Sequence, residues 1–216
     1  MRSIQARGVF MSDHYYSQQP QSSHDERYIE AQLFHQSYQF STDAGVFSKG
    51  RVDFGSRLLI ENFLKLNQSI NSGQLLELGS GYGPISVAIA DQSQSLQVLG
   101  LEVNQRALAL AKENMRLNRV TNLDFIQADV VTHNFEPIYD YVLTNPPIRA
   151  GKTIVQQFVT QAYQALKEEG QLWLVIQKKQ GAPSMKKFME ETFGNVSEID
   201  RSKGYWILQS IKLFQD

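Results

Sequence analysis

From residue 73 onward the apolar positions of this chain alternate between two rhythms. Leu75–Leu78, Leu96–Leu101, Leu123–Ile126, Tyr139–Leu143, Leu172–Ile176 and Tyr205–Ile211 are short runs of the kind that form buried strands. Between them the spacing widens to three and four. Ile85–Ala90 begins a helix, and Ala107, Leu108, Ala111 and Met115 line one helical face after Asn104. Ile154, Phe158, Ala162 and Leu166 line another, ended by Gly170, and Ser184 is placed to cap a short helix through Phe188. Upstream, Asp53 caps a helix carrying Leu58, Leu59, Phe63 and Leu64, which stops before Asn71-Ser72-Gly73. Strands alternating with helices of about 10–15 residues predict an α/β fold, a parallel sheet covered on both faces.

The first quarter of the chain behaves differently. Residues 1 to 24 are polar, with Ser-Gln-Gln-Pro-Gln-Ser-Ser at 17 to 23, and lack the apolar positions that would offset ordering entropy, so a mobile tail is expected. Met11 resembles a natural start, which would make residues 1 to 10 an upstream extension. Tyr28, Ile29, Ala31, Leu33, Tyr38 and Phe40 alternate imperfectly before Ser41-Thr42-Asp43-Ala44-Gly45 breaks the pattern. The expected organisation is a tail (1–24), a small β extension (25–52) and a main domain (53–216).

Composition narrows the classes. With 216 residues and 42% hydrophobic content the chain can bury a proper core. No run of 18 apolar residues exists and no signal-like apolar segment follows Arg2 and Arg7, so a soluble cytoplasmic protein without a membrane partner is expected. There are no cysteines, and His14, His24, His35 and His133 lack ligand spacing, so no metal site is read. A net charge of −1 leaves nucleic-acid binding, if any, to a local basic patch.

Candidate chemistry sits at the strand ends. Glu77-Leu78-Gly79-Ser80-Gly81-Tyr82-Gly83-Pro84 lies where the first core strand turns into a helix, the place where open α/β sheets bind ligands. It departs from the dinucleotide pattern G-x-G-x-x-G, because the sixth position from Gly79 is Pro84, and Pro84 suits the first position of a helix instead. A glycine-rich turn without a ligand is the plainer alternative. Glu77, Glu102 and Asp129, however, close the first three strands along one rim, and an acid ending the second strand can accept hydrogen bonds from both hydroxyls of a ribose.

After the fourth strand comes Leu143-Thr144-Asn145-Pro146-Pro147-Ile148-Arg149-Ala150-Gly151-Lys152-Thr153. Its end mimics a phosphate loop, but the first glycine of G-x-x-x-x-G-K-[ST] would fall on Pro146, and two prolines remove N–H donors from a loop that would need them. Asn145-Pro146-Pro147 instead offers acceptors for an amino group. Holding its two N–H protons on the Asn145 side-chain oxygen and the Pro146 carbonyl orients a delocalised nitrogen lone pair toward an electrophile. Taken alone, the tripeptide also reads as a strand-terminating turn.

Together these residues resemble the class I S-adenosylmethionine-dependent methyltransferases, and the resemblance runs from about Gly73 to the C-terminus. It implies a Rossmann-like seven-stranded sheet with the last strand antiparallel. It implies S-adenosylmethionine as cofactor, with Gly79, Gly81 and Gly83 beside its methionine part and ribose, Glu102 on the ribose, and Asp129 with Val130 at the adenine. Glu77 and Asn145 join this candidate cofactor set. Asn145, Pro146, Pro147 and Ile148 resemble the (Asn/Asp)-Pro-Pro-aromatic signature of enzymes that methylate amino nitrogens of adenine, guanine or glutamine. Ile148 replaces the aromatic residue, and Phe47 is the expected substitute ring.

Thr42 to Gly50, Asp53-Phe54-Gly55-Ser56, the Asn145 loop and Gln177 to Ser184 resemble short members of the bacterial small-subunit (16S) ribosomal RNA guanine-N2 methyltransferases. The implied partner is ribosomal RNA or the small ribosomal subunit. Lys49, Arg51, Arg149, Lys152, Lys178 and Lys179 are the expected RNA contacts. Glutamine-N5 methylation of a protein and RNA binding without turnover are the competing functions.

Overall fold

The structure, a computed structural model, describes residues 27–43, 50–70 and 72–214. Phe47, Lys49, the expected tail at 1–24 and the suggested start at Met11 lie outside the described residues.

A hairpin comes first, β1 (Arg27–Leu33) paired antiparallel with β2 (Gln36–Thr42). Phe34 and His35 form a two-residue turn with Phe34 at φ 55°. This turn reverses the faces of the strands, which is why one alternating pattern did not run through residues 27 to 40. Then follow α1 (Phe54–Leu66), β3 (Gly73–Leu78), α2 (Pro84–Gln92), β4 (Leu96–Glu102), α3 (Gln105–Leu117), β5 (Leu123–Gln127), β6 (Tyr139–Thr144), α4 (Lys152–Ala165), β7 (Leu166–Gln177), α5 (Ala182–Phe193), β8 (Ser197–Ser202) and β9 (Tyr205–Ile211).

Seven strands form one sheet in the order β5-β4-β3-β6-β7-β9-β8. Only β9 runs against the others: it pairs antiparallel with both β7 and β8, while the remaining contacts are parallel. The expected Rossmann-like architecture is therefore present. One core cluster packs α1, α2, α3 and the hairpin on one face, around Phe40, Leu59, Phe63, Phe125 and Trp173. The other packs α4 and α5 around Leu76, Val142, Phe158, Leu174 and Met189. Strand order reverses direction between β3 and β6, so the loops leaving these two strands flank the crevice of the sheet.

Three elements differ from the sequence expectation. The α4 helix ends at Ala165, and Leu166 turns to φ −77°, ψ 139° and pairs with Tyr139 in β7. Gly170 thus lies inside a strand, against the Tyr139 carbonyl, and ends no helix. The α5 helix is capped by Gly181 rather than Ser184 and runs on to Phe193. Pro183 fits the first turn, and the Ser184 hydroxyl donates back to the Gly181 carbonyl at 2.9 Å. Finally, β8 is a strand of polar residues on the sheet edge; Ser197-Glu198-Ile199-Asp200-Arg201-Ser202 has too few apolar positions to signal one.

The hairpin is fastened to α3 by two asparagines one helical turn apart. Asn114 Oδ1 accepts from the Ser41 N–H at 2.6 Å, and its Nδ2 donates to the Ser41 carbonyl at 2.9 Å. Asn118 does the same for Gln39, at 3.1 and 2.7 Å. Four residues of helix rise about 6 Å and two residues of strand about 6.6 Å, so the paired amides imitate a neighbouring strand. Asn114 Nδ2 also donates to the Tyr82 carbonyl at 2.8 Å, in the glycine loop.

Candidate active site

A cavity of about 280 Å³ opens at the crevice. Its walls come from the loops after β3, β4, β5 and β6, the start of α1, α4 and the start of β9.

The glycine loop forms one wall. Gly79 and Ser80 donate to the Leu101 carbonyl at 3.0 and 2.9 Å, which ties the loop to the end of β4. Gly79, Gly81 and Gly83 have φ of 72°, 57° and 89°, a region L side chains rarely adopt. At Gly83, the cap of α2, a Cβ would also come 2.8 Å from the Phe125 ring, whereas at Gly81 it would meet nothing within 4 Å. Gly81 therefore bends the backbone while leaving space in the cavity. Pro84 follows as the first residue of α2, as its missing N–H suggested.

The acids are not equivalent. Glu102 is buried and holds the loop, accepting from Gly81 N–H and Asn104 N–H at 2.8 Å each. Burial raises its pKa, opposed by these backbone donors. Glu77 is more enclosed: it accepts from the Ser86 backbone N–H at 3.0 Å and from the Ser86 hydroxyl, and burial pushes its carboxyl up to about 8. Asp129 lies two residues past β5, is exposed, and uses one oxygen to accept from Val131 N–H at 2.9 Å. Val130 beside it is buried against the α4 side of the core.

The Asn145 loop forms the facing wall. Thr144 Oγ1 donates to the Leu78 carbonyl at 2.9 Å, locking the end of β6 to β3. Asn145 Nδ2 donates to Asp53 Oδ1 at 3.2 Å and to Ser56 Oγ at 3.0 Å. An ionised carboxylate only accepts, so Asp53 dictates which way the amide faces and leaves Asn145 Oδ1 as the acceptor. Asp53 is at the same time the cap of α1, accepting from Ser56 N–H at 3.0 Å. Pro146 and Pro147 are buried, and Ile148 begins a three-residue 3-10 turn, its side chain half-buried against the α4 side of the core. Gly151-Lys152-Thr153 is merely the entry to α4, separated from the prolines by that turn.

The cavity thus gathers Glu77, Gly79, Gly81, Glu102, Asp129, Val130, Asn145, Pro146, Pro147, Ile148 and Arg149. Gly83 supports it from behind, as the cap of α2. Lys152, Lys178 and Lys179 are exposed on the same rim, at the starts and turns that follow β6 and β7, and Arg51 is exposed just ahead of α1. In the sequence Asp53 and Ser56 stand out only as a helix cap and as part of a resembling segment, and Tyr205 only as the start of a strand, yet all three line the cavity. The signal for the first two was the spacing Asp-x-x-Ser itself, since it puts both side chains at one helix N-terminus.

Comparison with known proteins agrees with this geometry. The family model for the methyltransferase small domain matches residues 37–209. The chain belongs to that family. The Bacillus subtilis (strain 168) protein YbxB, described as uncharacterised, is 40% identical over 204 residues, covering 94% of this chain and all of YbxB. A Fusobacterium nucleatum release factor glutamine methyltransferase is 34% identical over 95 residues, 43% of this chain and 26% of its own length. Among solved structures, the T. thermophilus 16S rRNA N2 G1207 methyltransferase in complex with AdoMet and guanosine superposes with a TM-score of 0.76 at 26% identity. The match covers 89% of this chain and 52% of that one, so the chain spans about half of the Thermus enzyme.

The methyltransferase small-domain fold uses S-adenosylmethionine, and the residues present fit it. Open space lies above Gly81, a buried carboxylate closes the loop, and apolar Val130 sits beside exposed Asp129. Among the described residues, no helix is long and apolar enough to cross a membrane.

Proposed function

We propose that this S-adenosylmethionine-dependent methyltransferase transfers its methyl group to the exocyclic N2 of a guanine in small-subunit ribosomal RNA. The observation that carries the reading is the fixed amide of Asn145, whose Nδ2 is committed to Asp53 and Ser56. Its Oδ1 is left to accept an N–H from an amino group entering the cavity, with the Pro146 carbonyl as second acceptor. The bound cofactor supplies an activated methyl on a sulfonium. Asn145 and Pro146 hold the amino group so that its lone pair faces that methyl, and their acceptor oxygens favour the positive charge developing on nitrogen as the N–C bond forms and the S–C bond breaks. The surplus proton leaves nitrogen afterwards, to solvent.

On the cofactor side, Glu102 and the glycine loop hold the ribose and methionine part, Asp129 and Val130 the adenine, and Glu77 braces the loop from beneath through Ser86. Arg51, Arg149, Lys152, Lys178 and Lys179, together with Lys49, are proposed to meet RNA phosphates. A basic rim of this kind accommodates RNA despite the chain's near-neutral charge. Similarity to the Thermus enzyme supports ribosomal RNA as the acceptor, and the cytoplasm is the proposed location.

The test is transfer of labelled methyl from S-adenosylmethionine to small subunits and to naked 16S rRNA from cells lacking the gene. Ribonuclease-sensitive label that digests to N2-methylguanosine is expected, and Asn145→Ala should abolish it while leaving cofactor affinity within about threefold. Label that survives ribonuclease and resides in protein glutamine would favour glutamine-N5 methylation instead. Intact cofactor binding with no transfer to any RNA would favour a binding protein without turnover.

A further inference from the structure

Ile148 leaves the acceptor without the ring that usually follows Asn-Pro-Pro, and its side chain is turned against the core beneath α4. Three aromatic side chains line the cavity among the described residues: Tyr82, Phe158 and Tyr205. Tyr82 and Phe158 are 2% and 5% exposed and have no free face for a planar substrate. Phe158 lies under the glycine loop, within 3.1 Å of where a Gly79 Cβ would be, on the cofactor side. Only Tyr205 is half-exposed.

Tyr205 opens β9, the one strand running against the rest of the sheet, so its N-terminal end reaches the rim where the parallel strands finish. The ring is mounted firmly. Its centroid is 5.6 Å from that of Phe54, and Gly55 lets it lie close on the start of α1, where a Cβ would be 3.0 Å from Tyr205 Cε1. Asp53, which orients Asn145, is near enough to raise the pKa of the Tyr205 hydroxyl, behind the effect of burial. The backbone is anchored as well: Gln177 pairs with Tyr205, and Lys178 N–H donates to the Gly204 carbonyl at 2.7 Å. Lys203 Nζ sits 4.7 Å from the centroid of the Phe54 ring, and Lys178 and Lys179, which follow Gln177, are exposed at the same end of the β7–β9 pair.

We infer that Tyr205 is the stacking platform for the target base, taking over from the β9 side the role that an aromatic residue at position 148 would otherwise play. The inference rests on the proposed RNA activity. A planar base would lie with its amino edge toward Asn145 and one face on the Tyr205 ring, while the neighbouring lysines meet its flanking phosphates. Lys203 joins the basic rim on this reading.

The experiment compares wild type, Tyr205→Ala, Tyr205→Leu and Tyr205→Phe in methyl transfer to small subunits and naked 16S rRNA, with S-adenosylmethionine affinity measured in parallel. Stacking on an aromatic side chain is worth roughly 1–3 kcal/mol per base, so loss of the ring should lower kcat/KM for RNA by about 5- to 150-fold. Tyr205→Ala and Tyr205→Leu should share that loss with cofactor affinity unchanged, and Tyr205→Phe should stay within about twofold of wild type. Leucine keeps part of the apolar packing, so a fold defect confined to the alanine variant leaves the comparison decisive. If wild type transfers to RNA and the leucine variant matches it, or the phenylalanine variant is as impaired as the leucine one, the platform role is overturned and the RNA reading stands. If wild type transfers nothing to RNA, the RNA reading itself falls, and the platform with it.

Discussion

Replacing Asn114 with leucine, which has the same branching and number of heavy atoms but no polar atoms, tests whether the N-terminal hairpin is part of the cofactor site. Asn114 is fully buried and makes three hydrogen bonds, at 2.6, 2.9 and 2.8 Å, to Ser41 N–H, the Ser41 carbonyl and the Tyr82 carbonyl. Leucine would strand all three backbone groups away from water. Each costs roughly 1–3 kcal/mol when left unpaired in the interior, and because partial relaxation makes such costs less than additive, the total should be about 3–6 kcal/mol. Against a usual stability of roughly 5–15 kcal/mol that is severe. With a urea slope near 3 kcal/mol/M, the unfolding midpoint should fall by roughly 1–2 M. The control is Asn118→Ala, which removes a pair of the same pattern on Gln39. Gln39 is exposed, water can replace the lost partners, and the cost should be about 1 kcal/mol or less. Since Tyr82 belongs to the glycine loop, Asn114→Leu should also weaken S-adenosylmethionine binding in calorimetry, and Asn118→Ala should not. A loss below about 1 kcal/mol at position 114, or equal losses at the two positions, would refute the account.

Other consequences can be measured directly. Burial raises the Glu77 carboxyl to about 8, so between its ordinary range and that value the folded state binds more protons than the unfolded one. The carboxyl's contribution to stability should therefore be fully present below about pH 4.5 and be lost as pH rises towards about 8. Glu77→Gln keeps an acceptor for Ser86 N–H and should flatten that decline in urea midpoints taken across pH, leaving the part due to Glu102, whose pKa burial also raises; an unchanged slope would contradict it. Asp53→Ala removes the α1 cap, worth about 1 kcal/mol, and releases the Asn145 amide. Turnover should drop at least about tenfold with cofactor affinity nearly retained, and equal loss of both would mean Asp53 acts only through stability. If Lys178 and Lys179 meet phosphates, the Lys178→Ala, Lys179→Ala double variant should reduce the slope of log affinity against log salt by about 2 in filter binding, with cofactor affinity unaltered. A parallel shift at constant slope would place them elsewhere.

The strands and helices that hold the cavity were legible because their apolar runs are short, buried and separated by helical spacing. Leu75 to Leu78 and Leu96 to Leu101 announced themselves in this way, and Asp53 and Asn104 announced the helices they cap. The edge strand β8 carried no such mark, since only one side of it is covered and its residues are polar. Leu166 fitted the helical spacing of α4 and yet begins β7, because pairing with Tyr139 outweighs local periodicity. In the site, glycines and strand-end acids could be found from spacing along the chain. The Asp53–Asn145 bond joins residues 92 apart and the Tyr205 ring reaches the cavity from the last strand, and no local pattern encodes either.

The reversed direction of β9 has a consequence for how acceptor choice can change. The residues proposed to hold the ribose, methionine part and adenine come from the outgoing ends of β3, β4 and β5, whereas Lys203, Gly204 and Tyr205 come from the incoming end of a surface hairpin. Lengthening, shortening or recolouring that hairpin tip alters what faces Asn145 without disturbing a single bond to the glycine loop. On the proposed reading, one sheet carries two separable parts, a methyl-donor half and an exchangeable surface beside the Asn145 loop, so that target preference could shift through the second while the first stays constant.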